Sequence, residues 1–143
     1  MGLQPALSPH LPIATNAVQN ADGVLMLSMR IAAENLLGVL HVWDGDLGQA
    51  TLTGYNAAGD FITVQAVQGS ATATITVQGQ SRTVDIADEV TRLYAAVGGE
   101  VTWPTGSIRV QNIGGVIFLP LRFLLQTYDI DIEWDAGTVH IHG

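Results

Sequence analysis

Gly23 to Gly54 reads GVLMLSMRIAAENLLGVLHVWDGDLGQATLTG, and Gly115 to Gly143 reads GVIFLPLRFLLQTYDIDIEWDAGTVHIHG. Both segments run apolar strand, arginine, short helix, strand ending in Trp-Asp, turn and final strand. The landmarks match in pairs: Gly23 with Gly115, Arg30 with Arg122, Trp43 with Trp134, and Asp44 with Asp135. A chain that repeats itself is read by its unit, and here the unit is a supersecondary one. In the first segment Ser28 stands where an N-cap belongs, Met29 to Leu37 form the helix and Gly38 stops it. Ile31, Ala33, Leu36 and Leu37 share the face predicted to pack on the sheet. Val39 to Trp43 is apolar except for His41, which predicts a strand buried from both sides. In the second segment Pro120 opens a helix running from Leu121 to Tyr128. A short loop around Ala136-Gly137 then pairs Trp134 with Val139, Ile132 with Ile141, Glu133 with His140, and Asp131 with His142.

The residues between these segments are strand-rich. Asp60 to Val67, Ala71 to Val77 and Arg82 to Ile86 predict a meander, with a turn at Gln78-Gly79. Thr72, Thr74 and Thr76 alternate with Ala71, Ala73, Ile75 and Val77, the period of a strand with one wet face. Asp88 to Val97 reads as a helix stopped by Gly98-Gly99. Glu100 to Trp103 and Ser107 to Val110 follow as two short strands, a candidate third and degenerate copy. Residues 1 to 22 hold Pro5, Pro9 and Pro12 among turn formers and predict an extended arm, with a disordered tail as the alternative. The expected fold is α+β, with twisted antiparallel β-sheets each packed on a short helix. The expected organisation is an arm (1–22), a first partial unit (23–66) and a second unit (67–143) with an insertion at 88–108. A single composite domain is the alternative.

At 143 residues and 48% hydrophobic, the chain has ample material for a core. All five cations are arginine, and the formal net charge is -8. Repulsion from phosphate argues against nucleic acid or an anionic membrane as partner. Only 13% of residues are charged. So few charges on so apolar a chain imply that another molecule covers part of the surface. The absence of cysteine excludes disulfides, thiolate metal sites and a cysteine nucleophile. No apolar run reaches the roughly 18 residues that span a bilayer. No charged segment followed by an apolar run marks a signal peptide.

The pattern strand, V/I-x-x-P-L-R, helix, V-x-W-D, turn, T-V-x-I resembles that of the copper amine oxidase N-terminal domain-like family, also called stalk domains. It is fullest in Val116-Ile117-Phe118-Leu119-Pro120-Leu121-Arg122, Ile132-Glu133-Trp134-Asp135 and Thr138-Val139-His140-Ile141. Gly69-Ser70-Ala71-Thr72 with Val77-Gln78-Gly79-Gln80 looks like the family's opening hairpin, so the resemblance covers residues 67 to 143. The first segment departs from it at Ser28, where the family has proline. The resemblance implies a compact α+β module of bacterial cell-surface and secreted proteins, often in tandem and non-catalytic. The family's copper ligands and quinone-forming tyrosine belong to another domain, and nothing in this chain matches them.

Several side chains carry candidate chemistry. Arg30 with Asp44 and Arg122 with Asp135 read as ion pairs tying helix to hairpin, because a partly buried arginine needs such a partner. An anion-binding role is the alternative. His140 and His142 with Asp131 and Glu133 opposite are candidate zinc or copper ligands, against a plain row of cross-strand pairs. Asp44 and Asp46 resemble the start of a calcium loop, against a plain hairpin turn. Trp43, Trp103 and Trp134 end inward-facing strands and read as core anchors, with a sugar platform as the alternative. No catalytic constellation and no cofactor site stands out. The expected function is therefore a non-enzymatic extracellular or cell-surface module. It would act as stalk, spacer or self-assembling subunit through protein contacts, with strand exchange by the N-terminal arm, and homo-oligomers or filaments would follow. A module binding cell-wall polysaccharide or peptidoglycan is the alternative.

Overall fold

The computed structural model describes residues 18–21, 24–135 and 138–142, with side chains described from Val24 to Ile130. Its elements in chain order are β1 (Val18–Ala21) and β2 (Val24–Ser28), then a helix that starts as α1 (Met29–Ile31) and widens into a π-helical stretch (Ala32–Leu37). Five strands follow: β3 (Leu40–Asp44), β4 (Gln49–Tyr55), β5 (Phe61–Val67), β6 (Thr72–Val77) and β7 (Gln80–Asp85). Next come α2 (Ile86–Ala96), β8 (Gln111–Ile113), β9 (Val116–Pro120), α3 (Leu121–Thr127), β10 (Asp131–Asp135) and β11 (Thr138–His142). The fold is thus α+β and its strand pairs are antiparallel. One sheet has the order β1-β2-β9-β8, a second runs β3 to β7 in sequence order, and β10 pairs with β11.

In the first sheet the two apolar strands pair through their last three residues: Leu27 stands opposite Leu119, with Met26 opposite Pro120 and Ser28 opposite Phe118. Each is then flanked by its own hairpin, Ala21 opposite Val24 on one side and Ile113 opposite Val116 on the other. Leu27 and Leu119 hold matching places in the two segments, so the register reads the same from either edge. A sequence signal accompanies this likeness: Val18-Gln19-Asn20 follows Pro12 at the same distance as Val110-Gln111-Asn112 follows Pro104. Met26, Leu27, Phe118 and Leu119 are all buried, as apolar strands covered on a face must be.

The helix after β2 is capped as its sequence predicts. The Ser28 hydroxyl accepts from the Ile31 backbone N–H at 3.2 Å, and Gly38 ends the helix in the left-handed region at φ 66°. Its packing face is Met29, Ala32 and Ala33, all fully buried, whereas Ile31, Leu36 and Leu37 are half-buried. Met29, Ala32 and Ala33 keep i, i+3, i+4 spacing, which leaves Ile31 off their face, and the π-helical winding turns Leu36 and Leu37 partly away from it. Helix α3 buries Leu121, Phe123, Leu124 and Leu125 and ends at Tyr128, whose hydroxyl donates to the Ile62 carbonyl of β5 at 3.3 Å. Burial pushes the Tyr128 phenol well above its ordinary pKa.

The five-stranded sheet alternates as the meander predicts. Ala50 and Leu52, Ile62, Val64 and Ala66, and Ala73 and Ile75 point into the core, while threonines fill the other face. There Thr74 and Thr83 hydroxyls lie 3.3 Å apart and Thr76 and Ser81 2.7 Å apart across strands. Val39 passes so close to Gly54 that an added Cβ would come within 2.5 Å of its Cγ1, which is why glycine stands in the middle of a strand. The division drawn at 66/67 falls inside this sheet, because β5 pairs with β4 and with β6.

The strands predicted at Glu100 to Trp103 and Ser107 to Val110 do not form, so the third copy has no strands to stand on. The segment is a loop held by other bonds. Asp85 caps α2 by accepting from Asp88 N–H and also accepts from Gly106 N–H, and Thr91 accepts from Trp103 N–H at 2.8 Å. In the arm, Val18 to Ala21 pairs with β2 of its own chain, and residues 1–17 lie outside the described residues. Buried apolar residues from the first two sheets and every helix form one cluster.

Leu27→Ala should cost about 2 to 5 kcal/mol of unfolding free energy, the range for a fully buried leucine, whereas Leu40→Ala on the exposed β3 should cost well under 1. Urea denaturation of the two variants checks the contrast.

Candidate functional site: an open strand edge and the cleft beside it

Strand β3 is the outermost strand of the five-stranded sheet, and among the described residues no strand pairs with its free side. Burial from both sides, expected from its apolar sequence, is therefore corrected. Leu40 is 63% exposed, Val42 48% and Trp43 44%. The physical reason is position: β3 is an edge strand, and among the described residues its outer face and free side are left open while only His41 is half-buried. In register, Leu40 and Val42 lie opposite Thr53 and Thr51 on the outer face, while His41 and Trp43 lie opposite the buried Leu52 and Ala50. Trp43 thus faces the core side but stands beyond the core's edge. Its role as a core anchor is corrected accordingly.

Trp43 and His41 form one wall of a cleft of about 190 Å³, completed by Arg30 and by Gly115, Val116 and Ile117 at the start of β9. Antiparallel pairing of β2 with β9 explains the composition, because Ser28 lies opposite Phe118 and the helix that follows, with Arg30, starts beside the first half of β9. The matching place in the second segment holds Arg122 with Val24 and Leu25, where the free space is only about 20 Å³. Helix α2 fills it. Tyr94 lays its ring 4.8 Å from the Arg122 guanidinium, and Val90 closes the side. Arg122 also reaches Gln126 at 3.5 Å, and its Nε is buried without a partner among the described residues.

The predicted pairing of Arg30 with Asp44 is not formed. Arg30 Nε bonds Glu34 Oε2 at 3.2 Å, four residues along the same helix, and both side chains are largely exposed. Helical spacing brought that carboxylate closer than the hairpin could. Asp44 instead accepts from Asp46 N–H at 3.0 Å and Leu47 N–H at 3.2 Å, the bonding of a capped turn. With that oxygen spent on its own backbone, Asp44 and Asp46 show the plain-turn geometry rather than a cation loop. The Asp135 side chain lies outside the described ones, as do those of Trp134, Asp131, Glu133, His140 and His142. Their backbone register does place Glu133 opposite His140 and Asp131 opposite His142. Trp103 is half-buried and packs on Tyr94, with ring centroids 5.1 Å apart.

His41 is the titratable group that the cleft perturbs. Partial burial lowers its pKa below the ordinary 6.5, the nearby Arg30 cation lowers it further, and Glu34 opposes both. Among the described residues no group of three His, Asp or Glu side chains converges as a metal site would require. The arrangement offers an indole face, an imidazole whose neutral form is favoured, a compensated guanidinium and a row of backbone groups with no strand partner among the described residues. It is suited to holding a strand or a flat apolar surface.

The class that fold and site define is an α+β module with an open β-edge. Comparisons of the chain with protein-family models, with curated protein sequences and with solved structures find no match. Among the described residues, no helix is long and apolar enough to cross a membrane.

The His41 shift sets a sign for the pH dependence of stability. A histidine whose folded pKa lies below its unfolded one contributes stability above about 6.5, and that contribution is lost as pH falls through the folded value. Urea midpoints taken from pH 7.5 to pH 5 should fall more for the wild-type chain than for His41→Gln; equal falls would remove His41 as the cause.

Proposed function

We propose that the protein is a non-catalytic assembly module that accepts a β-strand from a protein partner on the free edge of β3. One observation carries this reading: β3 is an open edge strand with apolar residues exposed on both faces and only Asp44, at its end, charged. Natural edge strands are normally protected by lysine, proline, a bulge or a covering loop. Among the described residues none of these is present along Leu40 to Trp43. Unpaired backbone N–H and C=O groups then supply affinity for an added strand, and the exposed side chains supply selectivity.

The resemblance to stalk domains supports the same reading, and with it a location at the cell surface or outside the cell. We also read the two long matching segments as copies of one unit. In support, β2 and β9 pair through the matching leucines 27 and 119, and their flanking hairpins share one register. Strand donation by the arm is narrowed by the fold, since Val18 to Ala21 is already engaged with β2.

A second reading rests on Trp43. A half-exposed indole beside a cleft is the arrangement that stacks on a sugar ring, so a cell-wall glycan is the alternative ligand. The two readings separate experimentally. Light scattering should show the wild-type chain self-associating as concentration rises. Val42→Lys should weaken that association by about tenfold or more, or about 1.4 kcal/mol, because a charge on an edge opposes strand addition. A strict monomer at all concentrations, together with retention on purified cell wall that Trp43→Ala abolishes, would instead support the glycan.

A further inference from the structure

Among the described residues each sheet ends in strands with one unpaired side, and two of these concern the matching hairpins. One is β3. The other is β11, whose counterpart in the first segment is β4. The hairpins β3-β4 and β10-β11 occupy the same place after their helices, and their registers correspond: Asp44 opposite Gln49 and Asp135 opposite Thr138, Trp43 opposite Ala50 and Trp134 opposite Val139. Yet β4 is paired on both sides, with β3 and with β5, whereas β11 is paired on one side only among the described residues. Helix α3 lies against β10, but a two-stranded ribbon is marginal by itself, and β11 lacks the third strand that β5 gives to β4 among the described residues.

We propose that β11 of one copy adds to the free edge of β3 of a second copy, joining molecules head to tail. This rests on the assembly reading above and names its partner as the chain itself. Both strands are five residues long, and antiparallel alignment end to end places Val42 opposite His140, Leu40 opposite His142 and Asp44 opposite Thr138. Charge is compatible. β11 carries two histidines and no carboxylate, while β3 ends at Asp44 and the acidic turn with Asp46. The neighbouring β10 has three carboxylates, Asp131, Glu133 and Asp135, and is the poorer donor beside that turn. The far edge of the same sheet, β7, is a poorer acceptor, because exposed Arg82 stands in its middle and Asp85 at its end holds the loop at Gly106. Pairing of β3 with β3 of a second copy would satisfy one free edge and leave β11 open. Head-to-tail addition satisfies both with one contact. Such a contact is heterologous and does not close on itself, so it builds open chains of molecules.

Because the chain has no cysteine, single substitutions report the pairing directly. Val42→Cys and His140→Cys variants are mixed under mild oxidation, with Asn35→Cys on the exposed helix face as the collision control, after circular dichroism confirms that each is folded. The mixture should give a disulfide-linked dimer at about tenfold the control yield, because directly opposite residues of antiparallel strands lie about 5 Å apart, within disulfide reach. The Val42→Cys, His140→Cys double variant should give a ladder of linked species. A Val42→Cys sample that links to itself as well as the mixture does would overturn the inference in favour of symmetric edge pairing. Oligomers by light scattering with no link in the mixture above control would also overturn it while sparing the assembly reading. A wild-type chain that stays monomeric would remove both.

Discussion

The pairing of β2 with β9 is the contact on which the other parts of the molecule depend. It joins strands that are far apart in sequence, and most of its weight lies in Met26, Leu27, Phe118 and Leu119, which leave almost no surface exposed. Burying four such side chains contributes about 1.5 to 3 kcal/mol each, enough to offset the entropy of closing so long a loop. Because the pair is antiparallel and centred on the two leucines, each following helix starts beside the other segment's first strand. Arg30 is thereby set against Val116 and Ile117, and Arg122 against Val24 and Leu25.

That symmetry of placement makes the difference between the two sites informative. At Arg122 the chain supplies α2, whose Tyr94 and Val90 take up nearly all the space. At Arg30 it supplies His41 and Trp43 from an edge strand, and the space stays open. The same local frame therefore yields a packed joint on one side and an accessible surface on the other. What decides between them is whether the connecting sequence includes an amphipathic helix long enough to lie across the gap.

Much of the fold was legible because it depends on local chemistry. The Ser28 cap, the Gly38 stop, the threonine alternation of β6 and the residue-by-residue register of β10 with β11 all follow from near neighbours in sequence. The site was far less legible. Whether Trp43 is covered depends on which strand lies beside β3, and an apolar run looks the same whether its cover is in the chain or not. Arg30 was misassigned for a related reason: a hairpin carboxylate and a carboxylate one helical turn away were both eligible, and only the backbone path shows that Glu34 is nearer. The match between Val18-Gln19-Asn20 and Val110-Gln111-Asn112 is a weak signal in the sequence, since each triplet is short and one lies in the proline-rich segment. It extends the correspondence of the two halves upstream to the strands that flank β2 and β9.

The outward face of the five-stranded sheet is dressed mainly in hydroxyls and methyls, with Asp44 and Asp85 only at strand ends. Repulsion among carboxylates is thereby kept away from the middle of β3, Leu40 to Trp43. The path of β5 has a different consequence. It stitches sequence from the first segment to strands that precede the second, so a matching segment of the sequence and the smallest piece able to hold a core are not the same object. Inheritance by whole-unit gain or loss is open to a string of independent beads. It is closed to this molecule, where excising one segment strips its neighbour of a wall.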